Sequence, residues 1–155
     1  MRLTLVAVGR LKERYWREAA EEYLKRLRPY ADVRVVEIAD RDPSRAGEAK
    51  ALAEEGADVL KGLSEGAHVV ALEISGRQLS SEGLSERLSA LGLEGRSNVS
   101  FIIGGSHGLS REVLERADET LSLGPMTLPH NLARVVLLEQ LYRAFRIARG
   151  EPYHK

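Results

Sequence analysis

The chain has no cysteine among its 155 residues. That excludes disulfides, thiolate metal sites and cysteine nucleophiles together, and it fits a reducing cytoplasm. An excess of either charge is also missing, because Lys plus Arg and Asp plus Glu each number 23. No global field therefore draws the chain to a polyanion. No apolar run approaches a membrane span, and the opening MRLTLVAVG lacks a small-residue cleavage site, so it reads as a strand. A soluble, cytoplasmic protein is expected. Familiar nucleotide signatures are absent as well. There is no GxxxxGK(S/T), and no GxGxxG follows the first strand. The four histidines, His68, His107, His130 and His154, show no ligand spacing, so no metal site is expected. Ser106 and His107 are adjacent and lack a placed acid partner, which argues against a hydrolase triad.

What is present is one domain's worth of globular sequence, with 43% apolar and 30% charged residues. Buried-strand patterns fall at Leu3 to Gly9, Val33 to Ile38, Ala67 to Leu72, Val99 to Ile103 and near Thr120 to Leu123. Helical patterns lie between them. Trp16, Ala19, Ala20, Tyr23, Leu24 and Leu27 recur at helical spacing, and Pro29 closes that helix. Arg45 to Leu63 has helical composition, Ser81 can cap a helix carrying Leu84, Leu88 and Leu91, and Ser110 can cap REVLERA. A long helix runs from about Asn131 to Arg149 and ends at Gly150. Strand and helix alternate throughout, which implies an α/β fold with a mostly parallel sheet and a single domain, 1–155.

In such sheets ligands sit beyond the carboxyl ends of the strands. Three loops compete there: EISG, GGSHG and GPMTLPHN. Glycine lets backbone approach a ligand and offers its N–H groups directly. The last helix is apolar on several faces (Leu132, Val135, Val136, Leu137, Leu138, Leu141, Tyr142, Phe145, Ile147), so one covering layer is expected to come from a second copy of the chain. The cations are also uneven. Arg10 to Arg28 holds seven Lys/Arg against four Glu, and the last helix and tail add Arg134, Arg143, Arg146, Arg149 and Lys155. His68 reads as structural and His130 as a helix cap. The terminal EPYHK, with a proline, an aromatic and a histidine, reads either as a frayed end or as a tail that docks.

The stretches LTLVAVGRLKERYW, VVALEISGRQLSSEGL, FIIGGSHGLS, MTLPHNLARVVLLEQLYRAFRI and RGEPYHK resemble, in collinear order over the whole chain, the RlmH (YbeA) family. Its members are ribosomal large-subunit pseudouridine N3-methyltransferases of the SPOUT class. The resemblance implies a C-terminal trefoil knot, which the general rule against knotted chains would not have suggested. It implies S-adenosyl-L-methionine in a bent form among the knot loops, at Leu72, Gly104, Leu123, Gly124, Pro125, Met126, Thr127 and Leu128. A homodimer is implied, with no appended RNA-binding domain. The resemblance also implies a substrate of 23S rRNA in the ribosome or large subunit, with N3 of a pseudouridine attacking the sulfonium methyl after losing its proton.

His154 is the expected proton acceptor, with Tyr153 positioning the base if the tail reaches the partner's cofactor. Arg143 is expected to stabilise the imide anion or a phosphate. Arg10, Lys12, Arg14, Arg134, Arg143, Arg146, Arg149 and Lys155 are the expected RNA-facing cations. The competing readings are an adenosine-binding module without catalysis, a SPOUT enzyme acting on tRNA, and a purely structural dimer.

Overall fold

The computed structural model describes residues 1–155, the side chain of Ala46 aside. Its centre is a pair of strands with no exposed flank. Strand β1 (Arg2–Val8) is buried from Leu3 onward, and β4 (Asn98–Ile103) is buried from Val99 onward. These two apolar runs lie side by side, with β2 (Asp32–Ile38) outside β1 and β3 (His68–Gln78) then β5 (Glu119–Ser122) outside β4. The order is β2-β1-β4-β3-β5, and every pairing is parallel.

Parallel strands need crossovers, and the helices supply them on both faces. The two-residue period of β1 sends Leu3, Leu5 and Ala7 to one side and Val6 and Val8 to the other. Helices α1 (Arg14–Leu27), α4 (Ser81–Leu93) and α6 (His130–Ala148) cover the first side through Leu27, Leu88, Leu137 and Leu141. On the second side α3 (Glu48–Gly62) and α5 (Arg111–Arg116) supply Val59 and Val113. Helix α6 lies against both α1 and α4, and Leu137 and Leu138 are wholly buried there. Much of the apolar girth that suggested a second subunit is thus covered by the chain itself.

Four local readings are corrected. The helix expected over Arg45 to Leu63 is two: α2 (Pro43–Ala46) ends at Gly47, whose φ of +87° turns the chain before α3 begins. The cap of α4 is Ser80, which accepts from the Gly83 N–H at 3.0 Å, while Ser81 donates to Gln140 Oε1 at 2.6 Å and ties α4 to α6. The cap expected of His130 is absent, since Pro129 precedes α6 and no side chain caps that end. Strand β3 does not stop at Leu72. Both Leu72 and Arg77 pair with Leu121, so the chain between them loops out before pairing with β5 resumes. Among the described residues no helix is long and apolar enough to cross a membrane.

Candidate functional site

All strands point the same way, so the looped-out stretch of β3 and the loops after β4 and β5 meet at one edge. Together they bound a cavity of about 680 Å³, within the range of small-molecule sites. Of the residues nominated for the cofactor, Leu72, Gly104, Leu123, Gly124, Met126, Thr127 and Leu128 line it. Pro125 lies in the same loop but does not line the space. Ile74 and Met126 leave apolar surface open, at 51% and 79% exposure.

The glycines of GGSHG have steric reasons. A Cβ on Gly104 would lie 2.6 Å from the Gly108 carbonyl oxygen and 2.8 Å from its carbon. The Gly108 N–H donates to the Gly105 carbonyl at 3.1 Å, and Gly108 itself has φ +77°. The loop is therefore both a tight turn and a wall of bare backbone. Gly105 backs onto Val8, whose Cγ1 would be 3.1 Å from an added Cβ. Behind it lies Glu55 of α3, only 6% exposed. Burial pushes this carboxyl above its ordinary range, against a weaker opposing contribution from the Arg41 N–H, which donates to it at 3.4 Å.

Ser122 fixes the opposite wall. Its hydroxyl donates to the Ile74 carbonyl at 2.9 Å and accepts from the Gly124 N–H at 3.1 Å. That bond pins the excursion of β3 to the loop after β5. Gly76 is closed in by backbone, since an added Cβ would meet the Glu73 oxygen and the Thr120 carbon, each at 2.9 Å.

The tail docks. Glu151 is held by Tyr30 and by Arg146, the latter at 2.6 Å. Tyr153 packs edge-on against Tyr142 at 4.8 Å between ring centroids, and the Arg143 guanidinium lies 4.7 Å from its ring centre. His154 is gripped at both nitrogens: Nε2 lies 2.6 Å from Glu82 Oε1, and Arg143 Nη1 donates toward Nδ1 at 3.3 Å. Arg143, Tyr153 and His154 are thus brought together, yet none of them lines the cavity. His130 at the start of α6 does line it, and thirteen residues of helix to Arg143 amount to roughly 20 Å.

The expected cationic face is smaller in the structure. Arg134 is 3% exposed, donating through Nη1 to Glu37 at 2.6 Å and through Nη2 to the Gly9 carbonyl at 2.9 Å. It is a structural clamp, unavailable to RNA. Arg146 is engaged with Glu151 and Tyr30, and Arg143 with Glu139. Arg10, Lys12, Arg14, Arg149 and Lys155 remain exposed. His68 is the buried structural residue its strand suggested, 2.6 Å from Glu119. Cavity residues outside the three nominated loops include Leu121 and Ala133, while Glu73 and His130 lie within those loops but were given no part in the site. The signal that would have found His130 is its place directly after GPMTLP.

A family model described as "Predicted SPOUT methyltransferase" matches residues 1–154. The ribosomal RNA large subunit methyltransferase H of Carboxydothermus hydrogenoformans is 52% identical, and that of Bacillus cytotoxicus 50%, each over the full length of both chains. A probable methylase family protein from Haemophilus influenzae Rd KW20 superposes with a TM-score of 0.56 at 14% identity, covering 99% of this chain and 70% of the other. A probable methyltransferase from Bordetella pertussis Tohama I gives 0.56 at 16% identity, covering 93% and 96%. These two likenesses speak for the fold. The chain belongs to the SPOUT methyltransferase family and, within it, to the RlmH group.

Proposed function

We propose that the chain is a single-domain, S-adenosyl-L-methionine-dependent methyltransferase that modifies N3 of one pseudouridine in 23S rRNA of the ribosome or large subunit. The observation that carries this is the cavity walled by the looped-out part of β3 and the loops after β4 and β5, in a chain with full-length relatives at about 50% identity named for large-subunit rRNA methylation. The residues fit the cofactor. A largely apolar space of nucleoside size, with bare backbone at Gly104 and Gly105, suits an adenosine held by main-chain groups. When bound, the cofactor supplies an electrophilic methyl group. Leu72 and the Leu123–Leu128 loop would hold it and exclude water.

A trefoil knot is part of the proposal. Its support is the enclosure of β5's end by the looped-out part of β3, followed by the return of α6 between α1 and α4. A cytoplasmic homodimer is the other part. The tail trio and the cavity lie at opposite ends of α6, so one active site needs the tail of a second copy. The apolar rim at Ile74 and Met126 is surface that such a copy would cover. In that arrangement Arg143 stabilises the imide anion, Tyr153 orients the base, and His154, the acceptor the resemblance implies, is brought beside that base. To take a proton His154 must first give up Arg143, because Nδ1 holds its lone pair while Nε2 donates to Glu82.

The test is transfer of labelled methyl from S-adenosyl-L-methionine to ribosomes or large subunits from cells lacking the activity, followed by mass spectrometry of digested rRNA. Methyl on N3 of one pseudouridine is expected, with little on subunits whose target is still uridine. Transfer to tRNA or to a ribose oxygen instead, or cofactor binding with no transfer, overturns the proposal.

A further inference from the structure

Resting on that reading, we infer that His130 is a catalytic residue: it accepts the imide proton at the flank of the cavity where RNA arrives.

Its chemistry singles it out. Only two side chains lining the cavity are titratable, Glu73 and His130. The other three imidazoles each face a carboxylate: His68 on Glu119 at 2.6 Å, His107 on Glu48 at 3.2 Å, and His154 on Glu82 at 2.6 Å. The His130 side chain makes no hydrogen bond or ion pair among the described residues. A proton acceptor needs a lone pair that nothing else holds, and neutral imidazole carries one beside an N–H donor.

Its position is also fixed. A Cβ on Gly9, at the end of β1, would lie 3.3 Å from His130 Nε2, and Gly9 has φ +93°. The ring therefore lies against the Gly9 backbone, whose positive φ favours glycine and where a side chain would press on the imidazole. One helical turn further along α6, Arg134 donates to the carbonyl of that same Gly9 at 2.9 Å. The first turn of α6 is thereby tied to β1.

Topology supplies the direction. The strand order β2-β1-β4-β3-β5 puts Glu73 on the β3–β5 side, among the loops proposed for the cofactor. His130 lies on the β1 side. The turn leaving β1 carries Arg10 and Lys12, and α1 opens on Arg14, all exposed. A strand whose phosphates meet those cations brings its base to the His130 flank of the cavity, away from Glu73.

The bonds balance as follows. The N3–H bond breaks, its electron pair stays on nitrogen, and the proton passes to an imidazole nitrogen and then to water. N3 takes the methyl, and the pair of the broken carbon–sulfur bond returns to sulfur.

The test uses His130→Gln and His130→Ala in the full chain, with thermal unfolding as a folding control. Single-turnover methyl transfer to large subunits is measured beside calorimetric binding of S-adenosyl-L-methionine. Both variants are expected to bind the cofactor like the unmodified chain and to transfer methyl about 10²-fold more slowly. Unchanged transfer by either variant overturns the inference, and so does a rate loss matched by an equal loss of cofactor affinity. Loss of activity in His154→Ala with full activity in both His130 variants assigns the proton to the tail instead. Failure of the unmodified chain to methylate the subunits removes the proposed function itself, and so remains distinguishable.

Discussion

Tyr153 donates its phenolic proton to Glu139 Oε1 at 3.1 Å, and Arg143 Nε, one turn further along α6, donates to the same oxygen at 3.0 Å. Burial first, and the bond to Glu139 second, push this phenol up to about 12, so it is a donor across the physiological range. Tyr153→Phe keeps the ring against Tyr142 and removes one hydrogen bond, worth about 1 kcal/mol. Glu139→Gln weakens Arg143's seat as well. Hydrogen exchange in the tail is expected to rise modestly in the first variant and more in the second, with little change in the sheet. Equal exchange in both would mean that the aromatic packing alone holds the tail.

Gly104→Ala places a methyl group against the Gly108 carbonyl, at 2.6 Å. That neighbour is backbone, so the turn must open. Affinity for S-adenosyl-L-methionine, read by calorimetry, is expected to fall at least tenfold, or about 1.4 kcal/mol. An unchanged affinity would move the cofactor's seat away from this loop.

Arg134 and Lys12 should behave oppositely. Arg134→Met loses bonds to Glu37 and to the Gly9 carbonyl, and urea denaturation is expected to show a loss of about 1.5–3 kcal/mol. The salt dependence of subunit binding should not change. Lys12→Ala should leave stability alone, and if Lys12 meets a phosphate, the slope of log K against log salt should shrink by about 0.7–0.9. A shallower slope in Arg134→Met would return that residue to the RNA-facing set.

Glu55 gives a pH signature. Its carboxyl is raised in the folded chain by burial, so the folded state binds the proton more tightly than the unfolded one. The group costs nothing below its ordinary pKa, and stability is lost as pH rises through the raised folded value. Glu55→Gln, measured by urea denaturation from pH 4 to pH 8, should be increasingly more stable than the unmodified chain as pH rises. A gap that widens toward acid would contradict the direction.

The strands, their parallel arrangement and the three ligand-facing loops were legible in the sequence. Runs such as LTLVAV and SFII carry their burial in adjacent residues, and Gly104-Gly105 and Gly124-Pro125 mark where those runs must turn. Local ambiguity blurred the rest. Ser80 and Ser81 are equally able to cap, and only the contact of Ser81 with Gln140 separates them. Arg134, one of the cations of the last helix and tail, reads as exposed until Glu37 and Gly9 are seen to enclose it.

By itself, then, the sequence determined the α/β alternation, the glycine-walled loops and the family, because periodicity and glycine sterics act between neighbours along the chain. Only the tertiary structure decided that Arg134 is a buried clamp, that the tail trio lies a helix length from the cavity, and that His130 rests unpaired against Gly9. Those facts depend on contacts between segments far apart in sequence, and such contacts exist only once the sheet has brought its strand ends together.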